Sequence, residues 1–113
     1  MPHWSMRMRM RKQMEKRLLR ALEQRRNHFE SEGVELDLWA REAFLRTNDD
    51  QGNRYTLTIS TAFADTGFYI AVNSLDLEEK YPEMHQIRNL EEILNFLERR
   101  IVQIHGIEQG GYA

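Results

Sequence analysis

The chain has 113 residues, 18 acidic groups against 16 basic ones, and no cysteine. That length holds a single domain with its own core, and the missing thiols exclude disulfides, thiolate metal sites and cysteine nucleophiles while suiting a reducing cytoplasm. The net charge of −2 conceals a separation, because residues 1–26 carry nine basic and two acidic groups whereas residues 27–113 carry seven and sixteen. Met1 to Lys12 has arginines but no apolar stretch of the kind a secretory signal needs, and no run of about 18 apolar residues occurs anywhere, so no membrane association is expected.

Met10 to Glu30 has the spacing of a helix. Met14, Leu18, Leu22 and Phe29, with Leu19 and Ala21 beside them, recur every three or four positions, and Arg and Lys fill the other face. Gly33 is a natural stop. Residues 1–9 are expected to extend this helix or to be flexible. Val34 to Thr47 fits two patterns. Val34, Leu36, Leu38, Ala40 and Phe44 alternate as on one strand, while Leu36, Trp39, Ala40, Ala43 and Phe44 also fit a helical stripe. The strand is preferred because Asn48-Asp49-Asp50-Gln51-Gly52-Asn53 has turn chemistry. After it, Tyr55, Leu57, Ile59, Thr61 and Phe63 alternate with small polar residues, as in an antiparallel partner.

Asp65-Thr66-Gly67 turns the chain into a third strand around Phe68, Ile70 and Val72. Ser74 to Gln86 reads as a polar connection, interrupted by Pro82, with room for one helical turn. Asn89 as N-cap, with Glu92 three residues on, opens a last helix. Its buried stripe is Leu90, Ile93, Leu94, Leu97, Ile101 and Ile104, and Gly106 ends it. Residues 107–113 read as a flexible tail. The expected architecture is therefore α+β: a helix, a three-stranded antiparallel meander and a helix, with both helices on one sheet face and residues 10–106 forming a single domain.

That order resembles the double-stranded RNA-binding domains. Those domains carry Gly-Pro-x-His between the first two strands and Lys-Lys-x-Ala-Lys where the second helix starts. Here Asp49-Asp50-Gln51-Gly52-Asn53 and Asn89-Leu90-Glu91-Glu92 stand at those places, so phosphate would meet carboxylates and the resemblance is one of element order only.

No catalytic constellation is legible. His3, His28, His85 and His105 include no pair at helical ligand spacing. The Asn48 to Asn53 stretch lacks the alternating acidic residues and closing glutamate of a calcium loop. Thr58, Ser60 and Thr61 lie on a regular strand, with no Gly-x-Ser-x-Gly elbow and no glycine-rich phosphate loop nearby. The chain is read as non-enzymatic, without cofactor or metal.

Two charged surfaces remain. Asp49, Asp50, Glu78, Glu79, Glu83, Glu91 and Glu92, together with Trp39 and Tyr69, are the candidates for binding a protein partner of basic character. A small regulator or inhibitor of a nucleic-acid-binding protein would dock in this way. The alternative is direct capture of nucleic acid by Arg7, Arg9, Arg11, Lys12, Lys16, Arg17, Arg20, Arg25 and Arg26. The methionines at 6, 8, 10 and 14 suit an adaptable interface, and a homodimer that packs the basic helix on the acidic body of a second copy is also expected.

Overall fold

Strand alternation decides which side of each strand can be buried, and in this chain it selects one side throughout. The computed structural model describes residues 3–61 and 67–106. Helices α1 (His3–Gln24) and α2 (Arg26–Ser31) are followed by β1 (Glu35–Leu38), β2 (Glu42–Asn48), β3 (Arg54–Ser60), β4 (Phe68–Asn73), β5 (Glu83–Ile87) and α3 (Leu90–His105). The five strands form one antiparallel sheet in chain order.

The expected three-stranded meander between two helices is thereby corrected to five strands and three helices. The single strand expected over residues 34–47 is a hairpin. Trp39 N–H donates to the Glu42 carbonyl at 2.8 Å and closes the β1–β2 turn. Across that turn the buried positions change phase, from Val34 and Leu36 to Ala43, Leu45 and Thr47. The connection expected over Ser74 to Gln86 contains β5 except for its last residue, Ile87. The first helix breaks at Arg25, whose N–H reaches the Leu22 carbonyl three residues back at 3.0 Å instead of continuing the α pattern. With two more strands, the element order shared with double-stranded RNA-binding domains no longer holds. The expected strand end at Phe63, the Asp65-Thr66 part of the following turn and the tail at 107–113 lie outside the described residues.

Cross-strand partners place Leu36, Leu45, Leu57 and Val72 in one row and Ala43, Ile59 and Ile70 in the next. These residues are buried, and they share a single core with Leu18, Leu22 and Phe29 from the first two helices and Ile93, Leu97, Ile101 and Ile104 from α3. The helical layer therefore covers one sheet face. The opposite face carries Arg46, Thr56, Phe44, Thr58, Ala71, Met84, Ser60 and Tyr69, all exposed or half-buried. Arg26 of α2 donates to the Leu36 carbonyl at 2.9 Å and so occupies part of the edge strand β1.

α3 matches its sequence signals closely. The Asn89 side chain accepts the Glu92 N–H at 2.8 Å, and Gly106 adopts φ +75 at the C-cap, a conformation costly for residues with a Cβ.

The apolar line of α1 has a defined end. Met14, Leu18 and Leu22 pack on the core, whereas Met6, Met8 and Met10 in the preceding turns are 54%, 40% and 57% exposed, so the helix runs on past the core. The radius of gyration is 15.3 Å, against about 13 Å for a compact chain of this length.

Met14 and Arg17 line a hollow with Phe68, Asn89 and Leu90, so this arm leaves the body beside the start of α3. At the other end, Thr47 bonds both the Gly33 carbonyl, just after α2, and His105, the last residue of α3. Arm and α3 C-terminus thus lie at opposite ends of the molecule. Leu97→Ala should cost about 2–5 kcal/mol by removing a core side chain and leaving a cavity, and Asn89→Ala about 1 kcal/mol through the lost cap. Urea unfolding midpoints of the two variants test both values and their order.

Candidate functional site, an acidic cleft opposite a basic helix

Asp49 builds the β2–β3 turn. Its carboxylate accepts the Gln51 N–H at 2.9 Å, the Asn53 N–H at 2.8 Å, Asn53 Nδ2 at 2.9 Å and the Tyr55 hydroxyl at 3.3 Å. This is the local self-bonding that makes Asp a turn residue, and Gly52 supplies the positive φ of +82 that the turn also requires. The arrangement leaves Asp50 at the surface.

β5 carries Glu83 and His85 on the helix-facing side of the sheet, where a buried polar group needs a partner. Arg100 of α3 donates to Glu83 at 2.8 Å, and His85 lies 3.1 Å from the same oxygen. The Arg100 guanidinium also rests over the Phe96 ring, 5.2 Å from its centroid. Tyr55 and Tyr81 meet edge to face with centroids 5.7 Å apart.

These groups converge. Asp49, Asp50, Gln51, Glu83, Arg100 and the two tyrosines line a cleft of about 410 Å³ whose remaining wall is Gln103, Ile104 and Gly106 at the end of α3. Burial pushes the Tyr55 hydroxyl up to about 12, with Tyr81 and Asp49 adding to the effect, so it remains a neutral donor. Burial opposes ionisation of Asp49, but the hydrogen bonds from Asn53, Gln51 and Tyr55 outweigh it and hold the carboxyl below its ordinary value. Glu83 follows the same logic, with Arg100 and His85 overcoming its burial.

Asp49, Asp50 and Glu83 therefore share the cleft with one guanidinium, which is committed to Glu83. The C-terminal end of a helix is its negative pole, equivalent to roughly half an electron charge. A Cβ built on Gly106 would lie 3.6 Å from Asp50 Oδ2, which places that carboxylate beside the wrong end of α3 for an anion. A cation placed there would relieve this crowding.

The other sequence candidates are distributed elsewhere. Glu78 and Glu79 are exposed in the β4–β5 connection and line a separate hollow with Leu75 and Lys80. That connection is tied to the same end of the sheet by Asp76, which accepts the Arg54 N–H at 2.7 Å and pairs with its guanidinium at 3.0 Å. Glu91 and Glu92 occupy the first turn of α3, at the far end from the cleft, where the helix dipole favours them.

Trp39 and Tyr69 lie on the uncovered sheet face. Trp39, 61% exposed, donates to Asp37 at 3.1 Å. Arg46 reaches the same carboxylate at 3.5 Å and sits over the Phe44 ring at 5.2 Å.

Of the basic candidates, Arg9, Lys12, Lys16, Arg17 and Arg20 are exposed and form no ion pair among the described residues. Arg11 and Arg25 are half-buried. Arg26 is engaged internally by Glu23 at 2.7 Å, Glu30 at 3.9 Å and the Leu36 carbonyl. The side chain of Arg7 is not among those described.

Sequence reasoning missed Tyr55, Tyr81, Arg100 and Gln103 as parts of the cleft. The tyrosines read as strand and connection residues, and only the fold of β5 against α3 brings the others to them. Among the described residues, no group of three His, Asp or Glu side chains could hold a metal ion, and no helix is long and apolar enough to cross a membrane. No family model, curated protein or solved structure matches the chain.

Asp49→Ala should destabilise the fold by about 1–2 kcal/mol, because several turn donors lose a charged acceptor. The carboxyl sits below its ordinary 3.8 in the folded chain. Its contribution is therefore complete above that value and fades as pH falls through the lower, folded one. Urea midpoints of wild type and variant should differ at pH 7 and converge in strong acid.

Proposed function

We propose that the chain is a non-catalytic protein-binding module that seats a basic segment of its partner in the acidic cleft between the β2–β3 turn, β5 and the end of α3. The observation that carries this reading is the crowding of like charge at the cleft, where Asp49, Asp50 and the negative pole of α3 share one concave wall. A lysine or arginine side chain entering it would replace repulsion with attraction. Tyr81, half-buried at the rim, offers a ring for such a cation to rest on.

Single exposed ion pairs contribute only about 0.2–1 kcal/mol, so recognition needs several basic residues together and its rate should fall with salt. A nucleic-acid-binding protein presents such a segment, and occluding it would make this chain a small cytoplasmic regulator or inhibitor. A cytoplasmic setting is part of this proposal, and a chain without cysteine suits a reducing compartment.

A second reading is favoured by a separate observation. Arg9, Lys12, Lys16 and Arg20 fall on one outer face of α1 and are unpaired among the described residues. At 1.5 Å per residue this stripe is about 17 Å long, enough to follow a nucleic-acid backbone.

Fluorescence anisotropy with a labelled Lys/Arg-rich peptide tests the first reading. Binding at about 50 mM salt should weaken tenfold or more at about 300 mM and be abolished by Asp50→Lys. Equal affinity of wild type and Asp50→Lys would contradict it. For the second reading, a DNA or RNA probe should be retarded at low salt, with a log–log salt slope of roughly 3–4 for four phosphate contacts. No retardation at about 50 mM salt removes it.

A further inference from the structure

We infer that the cleft is also the docking site for α1 of a second copy of this chain, so that two molecules pair with their long axes antiparallel and each basic arm lies on the acidic end of the other. This inference rests on the cation-binding reading of the cleft. It begins from a mismatch within one molecule. The arm and the cleft have opposite charge, yet they sit at opposite ends of α3, which is about 24 Å long at 16 residues. α1 has neither Gly nor Pro between His3 and Gln24 to provide a hinge, so the arm cannot fold back onto the acidic end. The attraction between the two charged parts can be satisfied only between molecules.

The arm also has apolar surface for such a neighbour to contact, because Met6, Met8 and Met10 are all exposed. Two arms cannot supply that contact to each other, because Arg9, Lys12 and Lys16 would face their own kind. The acidic end can. It adds an apolar partner as well, since Leu75 of the β4–β5 connection is 63% exposed there, while Met6 and Met10, one turn apart on the arm, are 54% and 57% exposed.

Geometry then selects the symmetry. Successive head-to-tail docking of arm into cleft would grow an open chain, whereas an antiparallel pair closes with two equal contacts about a two-fold axis.

Sedimentation equilibrium on nuclease-treated protein reads the outcome. The chain of 13.6 kDa should sediment at twice that mass in about 50 mM salt and as a monomer at about 500 mM. An arm variant carrying Arg9→Glu, Lys12→Glu and Lys16→Glu should be monomeric at low salt, and so should a cleft variant carrying Asp50→Lys. All four positions are exposed, and circular dichroism confirms that each variant is folded. Mixing the two variants should restore dimer in part, because one contact of the mixed pair again joins an unaltered basic arm to an unaltered acidic cleft.

A wild-type monomer at low salt that still binds the Lys/Arg-rich peptide would overturn the pairing and leave the cleft reading standing. A monomer that binds no peptide would overturn both. A dimer indifferent to the variants, or assembly beyond the dimer, would overturn the antiparallel arrangement.

Discussion

The apolar line by which α1 packs on the sheet runs from Leu22 through Leu18 to Met14, its most N-terminal member among the described residues. Where that line ends decides where the core stops. Had it continued, the whole of α1 could have lain along the sheet and its cations would have been spread over the body. As it is, the C-terminal half of the helix is anchored by Leu18 and Leu22, both fully buried, and the N-terminal half is carried outward as a rigid cationic arm. The extent of 58 Å along the long axis, against 31 and 24 Å across it, follows from that choice.

Charge separation along this axis is what gives the acidic end its character. Most surface carboxylates are solvated and do little, and Glu91 and Glu92 are of that kind, settled by the positive pole of the helix they begin. Asp50 is placed against the opposite pole of the same helix. The difference lies not in residue type but in which end of α3 each carboxylate meets. Asp49 stands between these cases: its charge is consumed in organising the turn, and by doing so it fixes Asp50 in an unfavourable place. A local conflict of this sort, stabilised by four hydrogen bonds behind it, is where a ligand can add most, because binding removes a repulsion as well as making a contact.

Much of the helical layer is legible in the sequence, and the reason is redundancy. α3 has a capping asparagine, an unbroken apolar stripe and a terminal glycine, so three independent signals agree. The sheet is less legible where those signals are missing. Trp39-Ala40-Arg41 contains no turn residue, so the β1–β2 hairpin is betrayed only by the change in phase of the buried positions between Leu36 and Ala43. β5 defeats the alternation rule outright. Its inward side carries Glu83 and His85, satisfied by Arg100 and Phe96, while Met84 points away from the core and is 62% exposed. Polar residues can face a helix when a long-range partner awaits them, and one chain read in order gives no sign of that partner. The same holds for the cleft. Asp49, Asp50 and Glu83 are recognisable as acidic residues, but that they meet, and that Glu78, Glu79, Glu91 and Glu92 do not join them, is a consequence of topology.

The cleft as a seat for cationic side chains is the claim on which the functional reading turns, and residue-resolved NMR titration with a Lys/Arg-rich peptide addresses it directly. Amide shifts that saturate together and cluster at Asp50, Gln51, Tyr81, Gln103 and Gly106, leaving the strands of the uncovered sheet face unmoved, are the result expected. Shifts confined to the uncovered face around Trp39, Phe44 and Tyr69, or to Glu91 and Glu92 at the other end of α3, would show that the acidic cleft is not the recognition site.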